Sequence, residues 1–84
     1  MGEEKIGVIE DYFSHVSVAA LTLENQGIRI GDNIRIKGHT TDIEFTVDSM
    51  QIEHDKVEQA KVGDSVGIKV PERVRRKDIV YKVT

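Results

Sequence analysis

With 84 residues the chain is large enough for one hydrophobic core and too small for two, so residues 1–84 are expected to form a single domain with only shallow clefts. The absence of cysteine excludes disulfides and thiolate metal sites, and the net charge of −3 argues against an indiscriminate grip on nucleic acid. That charge is uneven: residues 1–60 carry five Lys/Arg against twelve Asp/Glu, and residues 61–84 carry seven against three. The start, MGEEKIGVIE, has neither the basic nor the apolar run of a secretory leader, and no stretch reaches membrane-spanning length. A cytoplasmic protein without a membrane partner is the expectation.

Apolar residues alternate in short runs bounded by Gly, Asp or Asn, which is the punctuation of strands. Ile6, Val8 and Ile9 open a strand ending at Glu10-Asp11-Tyr12-Phe13, with Ser14 and His15 in the turn. Val16, Val18 and Ala20 continue it, and the apolar phase changes at Leu21 and Leu23, predicting a bulge there. A near-repeat follows: IGDNIRIK at residues 30–37 and VGDSVGIK at 62–69. In each, Gly31 or Gly63 supplies a positive φ, and Asp32 or Asp64 can accept from backbone N–H groups of the same turn. Each pair therefore launches a strand, with Ile34 and Ile36, and Val66, Ile68 and Val70, facing inward.

Between the copies, Ile43, Phe45 and Val47 share one face while Met50 and Ile52 lie in the opposite phase, which predicts a bulge at Asp48-Ser49 within the longest strand. Residues 54–61 are too poor in apolar residues for an independent helix and read as a short strand or turn. Pro71, which cannot donate to a ladder, ends the strand begun at Ser65. A basic loop then precedes a last strand over Ile79–Val83, with Ile79, Tyr81 and Val83 on one face. Val16, Val18, Phe45, Met50, Ile68 and Tyr81 are the expected core. About six strands with no crossover helix predict an all-β fold, a small six-stranded closed antiparallel β-barrel, closure being the economical way to remove sheet edges.

The two Gly-Asp segments also carry a resemblance. GIRIGDNIRIKG at residues 27–38 resembles the turn and strand of the second domain of elongation factor Tu, and VGDSVGIKVPERVRRKDIVYKV at residues 62–83 resembles the end of that domain. IGVIEDYF, KGHTTDIEFTVDSMQIEH and VGDSVGIKV are similar to small stand-alone elongation-factor-like proteins made of this barrel alone. The resemblance implies a translation-protein β-barrel that contacts RNA, tRNA or rRNA, or a protein of the translation or RNA-modification apparatus. It brings no nucleotide site, because the chain lacks the Gly-Lys-Ser/Thr phosphate loop. Asp48 falls near a carboxylate of that family, but Gln51 and Ile52 stand where basic residues follow there, so no tRNA pocket is carried over. Similar barrels are appended to collagenase-like peptidase-family proteins. That implies the alternative, an accessory subunit docking on a separate peptidase-like or RNA-modifying enzyme.

Two loops hold the candidate site residues. Arg73, Arg75, Arg76 and Lys77 are the candidate RNA contacts, since guanidinium forks take phosphate oxygens in pairs, although no aromatic is interleaved for base stacking. His39, Thr40, Thr41 and Asp42 offer an imidazole, two hydroxyls and a carboxylate for a small polar ligand, or simply cap their own turn. His15, His39 and His54 have no metal-ligand spacing, and no nucleophile turn or carboxylate pair can be read, so a non-enzymatic protein without metal or cofactor is expected.

Overall fold

The computed structural model describes residues 2–84, all in strands, turns and irregular segments. In chain order the strands are β1 (Glu3–Phe13), β2 (Val18–Thr22), β3 (Ile28–Arg29), β4 (Asn33–Lys37), β5 (Asp42–Thr46), β6 (Met50–Ile52), β7 (Asp55–Lys56), β8 (Gln59–Ala60), β9 (Ser65–Lys69) and β10 (Ile79–Val83). Eight form one antiparallel sheet in the order β5-β4-β10-β1-β2-β9-β6-β7, and β3 pairs with β8 in a two-stranded sheet. The fold is all-β, as the alternation predicts.

Strand β1 is the longest, and its two ends serve different neighbours. Glu3–Val8 pair with β10 and Ile9–Phe13 with β2, and the register slips between Lys5 and Gly7 and again between Ile9 and Asp11. These irregularities bend the sheet over its inner face, where Ile6, Ile9, Ala19, Leu21, Leu23, Ile34, Ile36, Val47, Met50, Val66, Ile68 and Val80 are buried. The bulge expected at Leu21 thus sits in the partner strand instead. Without a phase change of its own, β2 buries Ala19 and Leu21, leaving Val18 and Ala20 half-buried on the outer face and Val16 48% exposed in the turn. The last strand corrects in the same sense, because Val80 is its core residue and Ile79, Tyr81 and Val83 lie half-exposed. Phe45 is half-buried against the core, and Met50 and Ile68 are within it.

The strand-launching turns follow the expected chemistry. Gly31 and Gly63 have φ of +98° and +95°. Asp32 Oδ2 accepts from Arg29 N at 2.9 Å and Asp64 Oδ2 from Lys61 N at 3.0 Å. Each Asp N–H also donates to the same residue's carbonyl, at 3.1 and 3.0 Å. Residues 75–78 repeat this arrangement a third time. Asp78 Oδ2 accepts from Arg75 N at 2.9 Å, Asp78 N donates to Arg75 O at 3.1 Å, and Lys77, at φ 76°, occupies the glycine's place. Strands β4, β9 and β10 therefore start from one turn design. The third copy is hidden in the sequence by a residue that rarely adopts positive φ.

The closed six-stranded ladder is corrected. The sheet has two ends, β5 and β7, and no ladder joins β5 to β9. Segment 42–52 serves both sides of the gap, pairing with β4 through β5 and with β9 through β6, and the phase changes across Val47–Ser49 as the sequence indicates. The β6–β9 ladder runs as far as Lys69 N, which donates to Ser49 O at 3.1 Å. By alternation residue 71 is the next whose N–H would point across this gap, and it is Pro71. Val47 meanwhile turns both its backbone groups toward the β4 side, donating to Asp32 O and accepting from Gly31 N. At Val47 and Pro71, therefore, no backbone pair is left to carry the β6–β9 ladder on toward β5, and the seam stays open.

Candidate functional site

The basic loop is pinned rather than free. Val74, between the arginines, is 1% exposed and belongs to the core, which removes it from the exposed run that the sequence suggests. Asp78 holds the Arg75 backbone, and Arg76 Nη2 lies 3.5 Å from Asp11 Oδ1. Arg73, Arg75, Arg76 and Lys77 are exposed. Arg35 and Lys37 belong to a network on the outer face of β4 and β10. There Arg35 binds Asp42 through Nε and Nη2 at 3.0 and 3.2 Å and Glu3 through Nη1 at 3.0 Å. Lys37 Nζ lies 3.3 Å from Glu3 and 5.5 Å from the centre of the Tyr81 ring.

One member of the candidate ligand loop belongs to this network. Asp42, though exposed, is turned to Arg35, Thr41 is 7% exposed with its carbonyl accepting from Gly38 N at 2.7 Å, and His39 and Thr40 stay in solvent. The Asp42 carboxyl lies below its usual range because Arg35 donates to it. Burial works to raise Glu3, but hydrogen bonds from Arg35 and Lys37 outweigh it and the net displacement is downward. Arg35 is pushed upward by hydrogen bonding to Asp42 and Glu3. The three histidines sit in three different turns. Among the described residues no group of three or more His, Asp or Glu side chains is placed to hold a metal ion.

The outer face of β1, β2, β9 and β6 offers a different surface. Phe13, Val18, Ala20, Gln51, Gly67 and His54 line an open groove of about 370 Å³, extended by Glu53, Ser65 and Val66. Its floor is shallow because small residues meet there: Ala20 pairs with Gly67, and Gly67 with Gln51. A Cβ on Gly67 would stand 2.9 Å from Val18 Cγ1, so this glycine keeps the floor open. Phe13, 42% exposed, forms one wall, and Val16 lies in the adjoining hairpin turn. The opposite rim is the tight turn joining β6 to β7, where Glu53 and His54 both have positive φ, 50° and 71°. Two successive left-handed residues define a turn that favours Asn-Gly, so the rim holds strain of a kind that collects at binding surfaces.

Sequence reasoning passed over this groove because it assigned Val18 to the core and read Phe13 as the end of a strand. Gly67, a glycine in the middle of an alternating strand, was the available signal.

Comparison with known proteins identifies what carries such a domain. No protein-family profile matches the chain. It is 45% identical over 78 residues to an uncharacterized protease of Methanocaldococcus jannaschii, the match covering 92% of this chain and 19% of the relative. It is 38% identical over 72 residues to a collagenase of Porphyromonas gingivalis, covering 84% of this chain and 20% of that protein. The chain thus spans about a fifth of the length of the curated relatives it matches. Among solved structures, the C-terminal domain of a Geobacillus thermoleovorans protein assigned to the U32 peptidases superposes with a TM-score of 0.86 at 18% identity, covering 96% of this chain and 93% of that domain. The selenomethionine form of that domain gives 0.84. These matches overturn the resemblance to the second domain of elongation factor Tu, and the RNA-contacting translation function it implied falls with it. The Gly-Asp segments that carried the resemblance report a turn geometry, a positive φ followed by an aspartate cap, which does not specify a family. The sequence is similar to one segment of protease and collagenase relatives, and its fold is that of a peptidase C-terminal domain.

Proposed function

We infer that this chain is a non-catalytic accessory domain of a peptidase-like protein, docking on the remainder of such a protein through the groove beside Phe13. The observation that carries the reading is the 45% identity of nearly the whole chain to a segment amounting to 19% of a protease. A segment of that share leaves room for the catalytic part elsewhere. The groove supplies what docking needs: an exposed aromatic, a small-residue floor that admits a partner side chain, and polar groups at its rim. In this reading residues 1–84 are one domain, a six-stranded barrel with one open seam, in which 42–52 acts as a single bent strand. It uses no metal or cofactor of its own.

The test mixes the purified chain with the Methanocaldococcus jannaschii protease from which the matching fifth has been deleted, followed by calorimetry. The expected result is a one-to-one complex that Phe13→Ser weakens about tenfold, on the order of 1.4 kcal/mol. Absence of heat and of co-elution at tens of micromolar, or peptide-bond hydrolysis by the 84-residue chain alone, would overturn the reading.

A further inference from the structure

The open seam has a chemistry of its own. In the β4–β5 ladder, Gly38 N donates to Thr41 O and Val47 N to Asp32 O, which fixes the phase between them. Ile43 and Phe45 therefore bond to β4, and the backbone N–H and C=O groups of Asp42, Glu44 and Thr46 point the other way, into the seam. Strand β5 has no ladder on that side among the described residues, and these three residues are exposed. Unpaired edge groups of this kind are a template for another strand.

Side chains decide which strand. Glu44 points to the outer face beside this edge and has no ion-pair partner among the described residues. On the inner side, a cleft of about 250 Å³ lies between β5 and the chain leaving β9, lined by Phe45, Thr46, Asp48, Lys69, Val70 and Pro71. An added strand presents alternate side chains to these two surfaces, one set toward a carboxylate and the other toward a cleft in which Phe45, Val70 and Pro71 supply apolar surface. A second copy of this chain is the wrong occupant, because antiparallel pairing of two β5 edges centred on Glu44 sets the same carboxylates opposite each other.

We propose that the free edge of β5 binds an extended polypeptide segment in which Lys or Arg alternates with apolar residues, adding it to the sheet as a strand. Backbone pairing supplies the affinity, Glu44 selects the basic positions, and the Phe45–Pro71 cleft takes the apolar ones. The site is separate from the Phe13 groove and stands whether or not that groove docks a peptidase.

The probe is a blocked hexapeptide alternating Lys and Val, titrated into ¹⁵N-labelled protein. The largest amide shifts should fall on Glu44 and Thr46, with their hydrogen exchange slowed at least tenfold at saturation. Replacing every Lys by Glu in the peptide should weaken binding at least tenfold. Glu44→Pro removes an outward donor without touching a β4 hydrogen bond and should abolish binding. Should that variant not fold, Glu44→Lys keeps the backbone intact and should reverse the preference toward the Glu/Val peptide. Shifts centred on Phe13 and Gly67, equal affinity for both peptides, no binding at millimolar peptide, or a free protein that sediments as a dimer with Glu44 already protected would each overturn the proposal.

Discussion

The two outer faces of this small sheet are built on opposite terms. On the β4–β10 face the polar groups answer one another: Arg35 is held by Asp42 and Glu3, Lys37 by Glu3, and Lys37 also stands over Tyr81. On the β2–β9 face the strands carry Val18, Ala20 and Gly67, which give a shallow apolar floor walled by Phe13. Both faces are exposed sheet, so the difference lies in what each leaves unsatisfied. Apart from Glu44 at its β5 edge, the first has spent these charges internally, and a partner would have to break those pairs to bind. The second offers apolar surface whose removal from water contributes about 25 cal/mol per Å².

The largest effect should come from filling the floor. Gly67→Val places a Cβ 2.9 Å from Val18 Cγ1 and occupies the volume a partner side chain would enter. Docking on the truncated protease should fall at least thirtyfold by calorimetry, with some loss of thermal stability as Val18 shifts aside. Gly67→Ala, a smaller intrusion, should give an intermediate affinity. If both variants dock like the parent protein, the groove is not the interface. Phe13→Ser comes next, with its tenfold loss of affinity. Because Phe13 is 42% exposed, its removal should change the unfolding free energy by only about 0.5 kcal/mol, so binding and stability separate cleanly in this variant.

A third substitution asks whether the groove's rim is strained for a reason. Replacing Glu53 and His54 by Asn and Gly suits the two positive φ values of the β6–β7 turn and should stabilise the fold by about 1 kcal/mol in urea unfolding. If these side chains touch the partner, docking should fall about threefold in the same variant. A gain in stability with unchanged docking would reduce the turn to a structural feature and confine the interface to the Phe13 side.

What was legible in the sequence follows from how local each feature is. Gly31-Asp32 and Gly63-Asp64 were legible because the turn is closed by residues three apart, and the strands they launch bury Ile34, Ile36, Val66 and Ile68 as alternation requires. The phase of β2 was not legible, since the irregularity that sets it lies across the ladder in β1, between Ile9 and Asp11. The same limit hid the outer faces: reading Val18 and Tyr81 as core erased the groove and the Lys37 contact together. The Arg35–Asp42 pair was not legible either, because the two residues face each other only once the β4–β5 hairpin forms. Closure was inferred from strand number, whereas the open seam depends on where one missing N–H, that of Pro71, falls in the ladder.

The smallest effect should distinguish the faces most cleanly. Glu3 and Asp42 have folded-state values depressed below their ordinary 4.5 and 3.8. A depressed carboxylate contributes stability that is present above its unfolded value and lost as the pH falls through the folded one. The contribution should therefore be complete above about pH 5 and decline below pH 4. Arg35→Gln removes the guanidinium common to both carboxylates, so thermal midpoints measured from pH 7 to pH 2.5 should converge with those of the parent protein at the acid end and lie slightly below them at neutrality. Exposure and salt screening keep that neutral difference small. Docking through the opposite face should be unchanged at pH 7, since the pairs it breaks lie on the charge-satisfied side. A loss of docking in Arg35→Gln comparable to that of Phe13→Ser would mean that the β4–β10 face, despite its satisfied charges, is the one the partner reads.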